Sequence, residues 1–125
     1  MKKIDNEQVY MFDVDDTLVR WPSNFMLPDD GRVRIVDPND GEVVYLYPIK
    51  RHIKLLTAMK GRGRLIVVWS GNGAAWAEAV IKALGLELSV DLIMTKPLGY
   101  VDDLSCESWM GPRIYETNGE EHEQT

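Results

Sequence analysis

Residues Val9–Val19 read VYMFDVDDTLV, a short apolar run that ends in three acids, Asp13, Asp15 and Asp16. Carboxylates within a few ångströms of one another resist joint ionisation unless a cation lies among them. Such a cluster therefore implies a metal ion, a lysine or arginine partner, or a shared proton. The competing reading is a solvated turn, because aspartate is a common turn and cap residue. Three later segments supply what the cluster would need: Ser70-Gly71-Asn72, Lys96 in MTKP, and Asp102-Asp103.

Hydrolysis of a phosphate monoester requires an oxygen nucleophile, a proton donor for the leaving group, positive charge on the phosphoryl oxygens, and donors that hold them. Asp13, at a strand end, can attack phosphorus to form an aspartyl phosphate. Asp15, two residues on, can turn back across a tight loop as general acid and then base. Mg²⁺ suits the place because it is hard, prefers oxygen and neutralises carboxylates and phosphate together, with Asp102 and Asp103 available to complete its shell around Asp13 and Asp15. The Ser70 hydroxyl and the amides of Gly71 and Asn72 form a natural anion site where a strand meets a helix. Taken singly, Ser70 and Asn72 are ordinary helix caps and Lys96 an ordinary surface lysine.

Elements that would position these groups can be read from the same chain. Gln8–Val14 is a buried strand, followed by a loop over Arg20–Gly31 punctuated by Pro22, Pro28 and Asp30-Gly31. RVRIV and EVVYLY flank DPNDG and predict a hairpin over 32–47, with Pro48 as the stop. Ile49, Ile53, Leu56 and Met59 recur at helical spacing up to about Lys60, with Gly61 placed to end the helix. LIVVWS, Leu65–Ser70, carries no polar residue until its end and predicts a strand buried on both faces of a parallel sheet. A second helix is expected from about Gly73 to Leu84, capped by Asn72 and stopped by Gly85. Leu92–Met94 and Tyr100–Val101 read as further short strands, and Ile114-Tyr115 as the start of a fifth. Alternation of strands and helices predicts a three-layer α/β domain with a mainly parallel sheet. Ligands of such sheets bind beyond the carboxyl ends of the strands, which would gather Asp13–Thr17, Ser70–Gly73 and Asp102-Asp103 on one edge.

FDVDDTLV, VVWSGN, TKP and YVDD, in that order, resemble the four motifs of the haloacid dehalogenase superfamily of phosphohydrolases. The first motif, hydrophobic-Asp-x-Asp-x-Thr-Leu, is the specific one; the Ser and Lys motifs are single residues. The resemblance covers Val9 to Asp103 and implies a Rossmann-like fold in which Asp13 is the nucleophile and Thr17 supports the loop. It implies Asp15 as acid/base and donor of a backbone carbonyl to Mg²⁺, Ser70 on phosphate, Lys96 stabilising charge, and Asp102 or Asp103 anchoring the metal. Asp16 falls at the motif's variable position. The carboxylate at Asp15 favours phosphatase over dehalogenase chemistry. Residues 97–101 are all that separate Lys96 from Asp102, a reach of at most about 18 Å, which implies a compact variant with a shortened crossover. Between Asp15 and Ser70 there is room for a loop, the hairpin and one helix but not for an independent cap domain. The site should be open, with Trp21 and Phe25 as candidate substrate contacts and the hairpin, the Trp21 loop or a second subunit as candidate covers.

Composition narrows the setting. With 125 residues and 45% apolar content, residues 1–117 fit one domain, leaving polar 118–125 as a tail. The single cysteine, Cys106, has no partner for an internal disulfide and fits a structural role in a reducing compartment. No apolar run reaches the length of a membrane span, so a cytoplasmic protein is expected. A net charge of −6 argues against nonspecific binding to long nucleic acid, although Lys50, Arg51, Lys54, Lys60, Arg62 and Arg64 form an acid-free basic stretch. The expected partner is a phosphorylated substrate: a small metabolite, a nucleotide or a nucleic-acid end. Alternatives are a phosphotransferase or phosphomutase using the same intermediate, a catalytically inactive module of the same fold, and a response-regulator receiver. The receiver fits poorly because Ser70 stands where its acceptor aspartate would be.

Overall fold

The computed structural model describes residues 8–22 and 31–117. It is an α/β structure with two separate three-stranded sheets and two α-helices. The first sheet is parallel, in the order β1 (Val9–Asp13), β5 (Leu65–Ser70), β6 (Leu92–Thr95). Asp13 pairs with Trp69, and Ser70 with Thr95, so the strands end together. Ile66, Val67 and Val68 are buried, as an apolar central strand requires.

The second sheet is antiparallel, in the order β2 (Val19–Arg20), β4 (Val43–Pro48), β3 (Val33–Val36). Its hairpin is the expected one, closed by Asp37 and Asp40 side chains that accept the Asn39 and Glu42 amides and by Gly41 at φ 77°. The sequence reading missed β2, whose two residues pair with Pro48 and Tyr47. Pro48 is therefore the last residue of β4 rather than a stop beyond it. With this third strand the antiparallel sheet is as large as the parallel one, so the expected small hairpin beside a mainly parallel sheet is corrected.

Helix α1 (Lys50–Gly61) runs through Gly61, and Gly63, at φ 85°, supplies the left-handed residue that ends the turn. Helix α2 (Ala74–Ala83) is followed by Gly85 at φ 70°, as expected. Asn72 does not cap it. Gly73 occupies that position, and Thr95 Oγ1 at the end of β6 accepts the Ala74 amide at 3.0 Å. One core joins both sheets to both helices through Phe12, Leu18, Ile35, Leu46, Leu56 and Val80.

Tyr100–Val101 and Ile114-Tyr115 form no strands. Pro97, two residues beyond the end of β6, cannot donate to a ladder, and the chain leaves the sheet there with Val101 fully exposed. The third strand end on the site edge is therefore that of β6, which presents Lys96 rather than Asp102. Cys106 is half-buried in a single 3₁₀ turn, Cys106–Ser108. Phe25 and the tail 118–125 lie outside the described residues. Among the described residues no helix is long and apolar enough to cross a membrane.

Candidate functional site

The loop leaving β1 is wound tightly around one carbonyl. Val14 C=O accepts the amides of Thr17, Leu18 and Val19 at 3.2, 2.8 and 3.2 Å, and Val14, Leu18 and Val19 are fully buried. This anchor leaves the intervening polar side chains at the sheet edge. Asp16 is the turn residue, in the left-handed region at φ 61°, which aspartate tolerates better than most side chains. The Asp-rich-turn reading thus holds for Asp16, while Asp13 and Asp15 take up separate environments.

Asp13 is loosely held. Thr17 Oγ1 lies 3.4 Å from Oδ2, at the long end for a hydrogen bond, and Lys96 Nζ lies 3.8 Å from Oδ1. Both members of the ion pair stay accessible, with side-chain exposures of 48% for Lys96 and 33% for Asp13. Lys96 is carried there by the sheet, because its amide donates to the Ser70 carbonyl at 2.9 Å just beyond the ladder.

Asp15 is held firmly. Its Oδ1 accepts the indole N–H of Trp21 at 2.8 Å and of Trp76 at 3.1 Å. Its Oδ2 accepts the Ser70 hydroxyl at 3.2 Å and the Asn72 side-chain amide at 3.0 Å. Four donors match the acceptor capacity of an ionised carboxylate. Ser70 is fully buried and its Oγ also accepts the Asn72 main-chain amide at 3.0 Å. The structure therefore gathers Asp13, Asp15, Thr17, Ser70, Asn72 and Lys96 on one edge, with exposed Gly71 between Ser70 and Asn72. The Ser70 and Asn72 side chains turn to Asp15 rather than outward.

Asp102 and Asp103 are not brought into this group. Both are exposed, and Asp102 accepts the Leu104 amide at 3.0 Å, a contact that holds its carboxyl below the usual carboxylate range. Among the described residues, no three His, Cys, Asp or Glu side chains are grouped to hold a metal ion.

Several participants were missed in the sequence. Trp76 lies buried on the apolar face of α2, and its ring nitrogen also reaches Asp15. His52 stands three residues after Ile49 and four before Leu56, on the apolar face of α1, and that spacing is the sequence signal for it. It is buried, and its Nε2 accepts the Glu116 amide at 2.9 Å, which leaves Nδ1–H to donate to the Thr17 carbonyl at 2.8 Å. Tyr115 packs edge-on against His52 at 4.8 Å, and its hydroxyl donates to the Asp16 carbonyl at 3.0 Å. Arg51 Nε donates to the Glu116 carbonyl. The segment around Tyr115 is thus strapped across the back of the Asp13–Thr17 loop.

Compared with protein-family models, with curated proteins and with solved structures, the chain matches none.

Proposed function

We propose that this protein is a Mg²⁺-dependent phosphomonoesterase of the haloacid dehalogenase type, built on a compact, capless Rossmann-like core. The observation that carries the reading is the accessible Asp13 carboxylate with Lys96 Nζ 3.8 Å away and Asp15 fixed two residues on. Groups of this kind, at successive ends of parallel strands, are what an in-line phosphoryl transfer to a carboxylate uses.

In this reading an Asp13 oxygen attacks phosphorus, the ester P–O bond breaks, and Asp15 gives a proton to the departing oxygen. Asp15 then takes a proton from water as that water attacks the aspartyl phosphate, releasing inorganic phosphate and restoring Asp13. Lys96 opposes the charge on Asp13 and on the phosphoryl oxygens. The exposed Gly71 segment lies at the same edge, while the Asn72 main-chain amide is taken by Ser70 Oγ. For the proton steps one donor on Asp15 must yield its place to the leaving group, and the exposed Asn72 side-chain amide, on Oδ2, is placed to do so.

The oxygen-only donor set fits a hard cation: the Asp13 carboxylate and the Asp15 main-chain carbonyl would hold it, whereas Asp102 and Asp103 stand outside the group. Mg²⁺ is commonly held by one or two carboxylates together with waters and substrate phosphate. When bound it would neutralise charge on the transferred group.

Hydrolysis of p-nitrophenyl phosphate by wild type and Asp13→Asn, with and without EDTA, tests the assignment. Wild type should turn over, the substitution should cost about a thousandfold or more, and EDTA should abolish activity. Activity that survives the substitution removes Asp13 as nucleophile. A second reading, a phosphate-binding module without turnover, is favoured by the four donors that already occupy Asp15. Binding of phosphate monoesters with no hydrolysis would establish it.

A further inference from the structure

The geometry points to Trp21 as a stacking platform for the leaving group, and to nucleoside monophosphates as the substrate class; this rests on the phosphatase reading above. Trp21 follows directly on β2, whose pairing with β4 fixes the backbone that carries it. Its indole is held twice more. Nε1 donates to Asp15 Oδ1 at 2.8 Å, and the ring stacks on buried Trp76 with centroids 5.8 Å apart and planes at 29°.

A surface tryptophan normally loses little by letting its N–H face water and its ring rotate. Trp21 instead has a fixed orientation, with one side against Trp76, while 41% of it remains exposed. Fixing an aromatic plane without burying it costs conformational entropy and leaves its apolar area in water. A planar ring seated on that plane would recover the loss.

The position of the plane selects the ligand. An in-line attack by Asp13 puts the departing oxygen on the far side of phosphorus, within hydrogen-bond reach of Asp15. Trp21 is bonded to the other oxygen of that carboxylate, so its ring edge begins up to about 8 Å from the departing oxygen, two hydrogen-bond lengths and the width of the carboxylate. That distance suits a ring held one sugar away from the ester oxygen better than a ring bonded directly to it. A nucleobase meets the requirement, and every base offers a π-face, so the platform favours nucleotides as a class without choosing among bases.

Calorimetric titration of Asp13→Asn protein tests the inference without turnover. Nucleoside 5′- and 3′-monophosphates should bind roughly 10- to 100-fold more tightly than glycerol 3-phosphate. Adding Trp21→Ala should remove the difference, whereas adding Trp21→Phe, which keeps a ring and lacks the N–H, should preserve most of it. Equal affinity for nucleotides and glycerol 3-phosphate, or equal weakening of both by Trp21→Ala, would overturn it and leave Trp21 as a holder of Asp15 only. A Trp21-dependent gain confined to phenyl phosphate would overturn the nucleotide assignment. Wild-type turnover separates the two readings. Nucleotides that bind through Trp21 but are not hydrolysed defeat the phosphatase and spare the platform. Hydrolysis with no gain from an aromatic leaving group does the reverse.

Discussion

The parallel sheet carries a carboxylate–lysine pair at each of its two ends, and the pairs are built differently. At the carboxyl end, Lys96 Nζ stands 3.8 Å from Asp13 Oδ1 and Thr17 Oγ1 3.4 Å from Oδ2. At the opposite end, Lys60 Nζ lies 2.7 Å from Asp91 Oδ1, and the Ile66 amide donates to Asp91 Oδ2 at 2.7 Å. Exposure does not separate them, since the Asp13 and Asp91 side chains are 33% and 32% exposed. The difference is satisfaction. Both Asp91 oxygens are engaged at short range, and the amide, with Lys60 second, holds that carboxyl below the usual carboxylate range. Asp13 has a cation near it and, among the described residues, only the long Thr17 contact as a side-chain donor, which leaves room at its oxygens for an incoming group. Pairs with the same composition thus serve as a clasp at one end and as a candidate reaction centre at the other.

The strongest way to break this comparison is to remove each lysine in turn. Lys96→Met should lower phosphomonoesterase activity by about 10²–10³-fold, the scale of losing one group that stabilises developing charge. Lys60→Met should leave activity within twofold and reduce stability by about 1 kcal/mol or less, as for an exposed pair. Initial rates on p-nitrophenyl phosphate and urea denaturation read both. Equal loss of activity in the two variants would show that Lys96 has no special role.

This division of labour was only half legible in the sequence. The apolar run into Asp13, the fully apolar LIVVWS and the Gly85 stop follow from local rules of burial and backbone freedom, and each element was found where those rules put it. The gathering of Asp13, Asp15 and Ser70 at one edge followed from parallel-strand geometry, whereas the third strand end brings Lys96 there in place of the expected Asp102-Asp103. What failed was non-local. β2 is two residues long and exists because β4 supplies its ladder. Tyr100–Val101 had strand-forming side chains but no neighbour to pair with after Pro97. Asn72 has the chemistry of a cap, yet Asp15, distant in the chain, took its side chain while Thr95 capped the helix. The Lys60–Asp91 clasp joins a helix end to a strand start, and neither residue carried a local sign of it.

The second contrast is in stability. Asp91→Ala strips the acceptor from the amide of Ile66, a fully buried residue, and should cost about 1–3 kcal/mol in urea denaturation at neutral pH. Asp13→Ala removes only long contacts and should stay within about 0.5 kcal/mol. A loss at Asp13 as large as that at Asp91 would make both ends structural and remove the distinction.

The smallest effect isolates charge from shape. The folded carboxyl of Asp91 ionises below its ordinary value of 3.8, so in this region of pH the unfolded chain binds more protons than the folded one. Stability from Asp91 is therefore complete above the unfolded value and is lost as pH falls through the lower, folded value. In Asp91→Asn an oxygen can still accept the Ile66 amide, while the charge facing Lys60 is gone. The stability gap between wild type and Asp91→Asn should be constant above about pH 5, narrow below 3.8, and shrink in high salt as the Lys60 contribution is screened. A gap that persists undiminished at the acid end would mean that the clasp works by fit alone. The contrast with Asp13 would then rest on donor distance and owe nothing to charge.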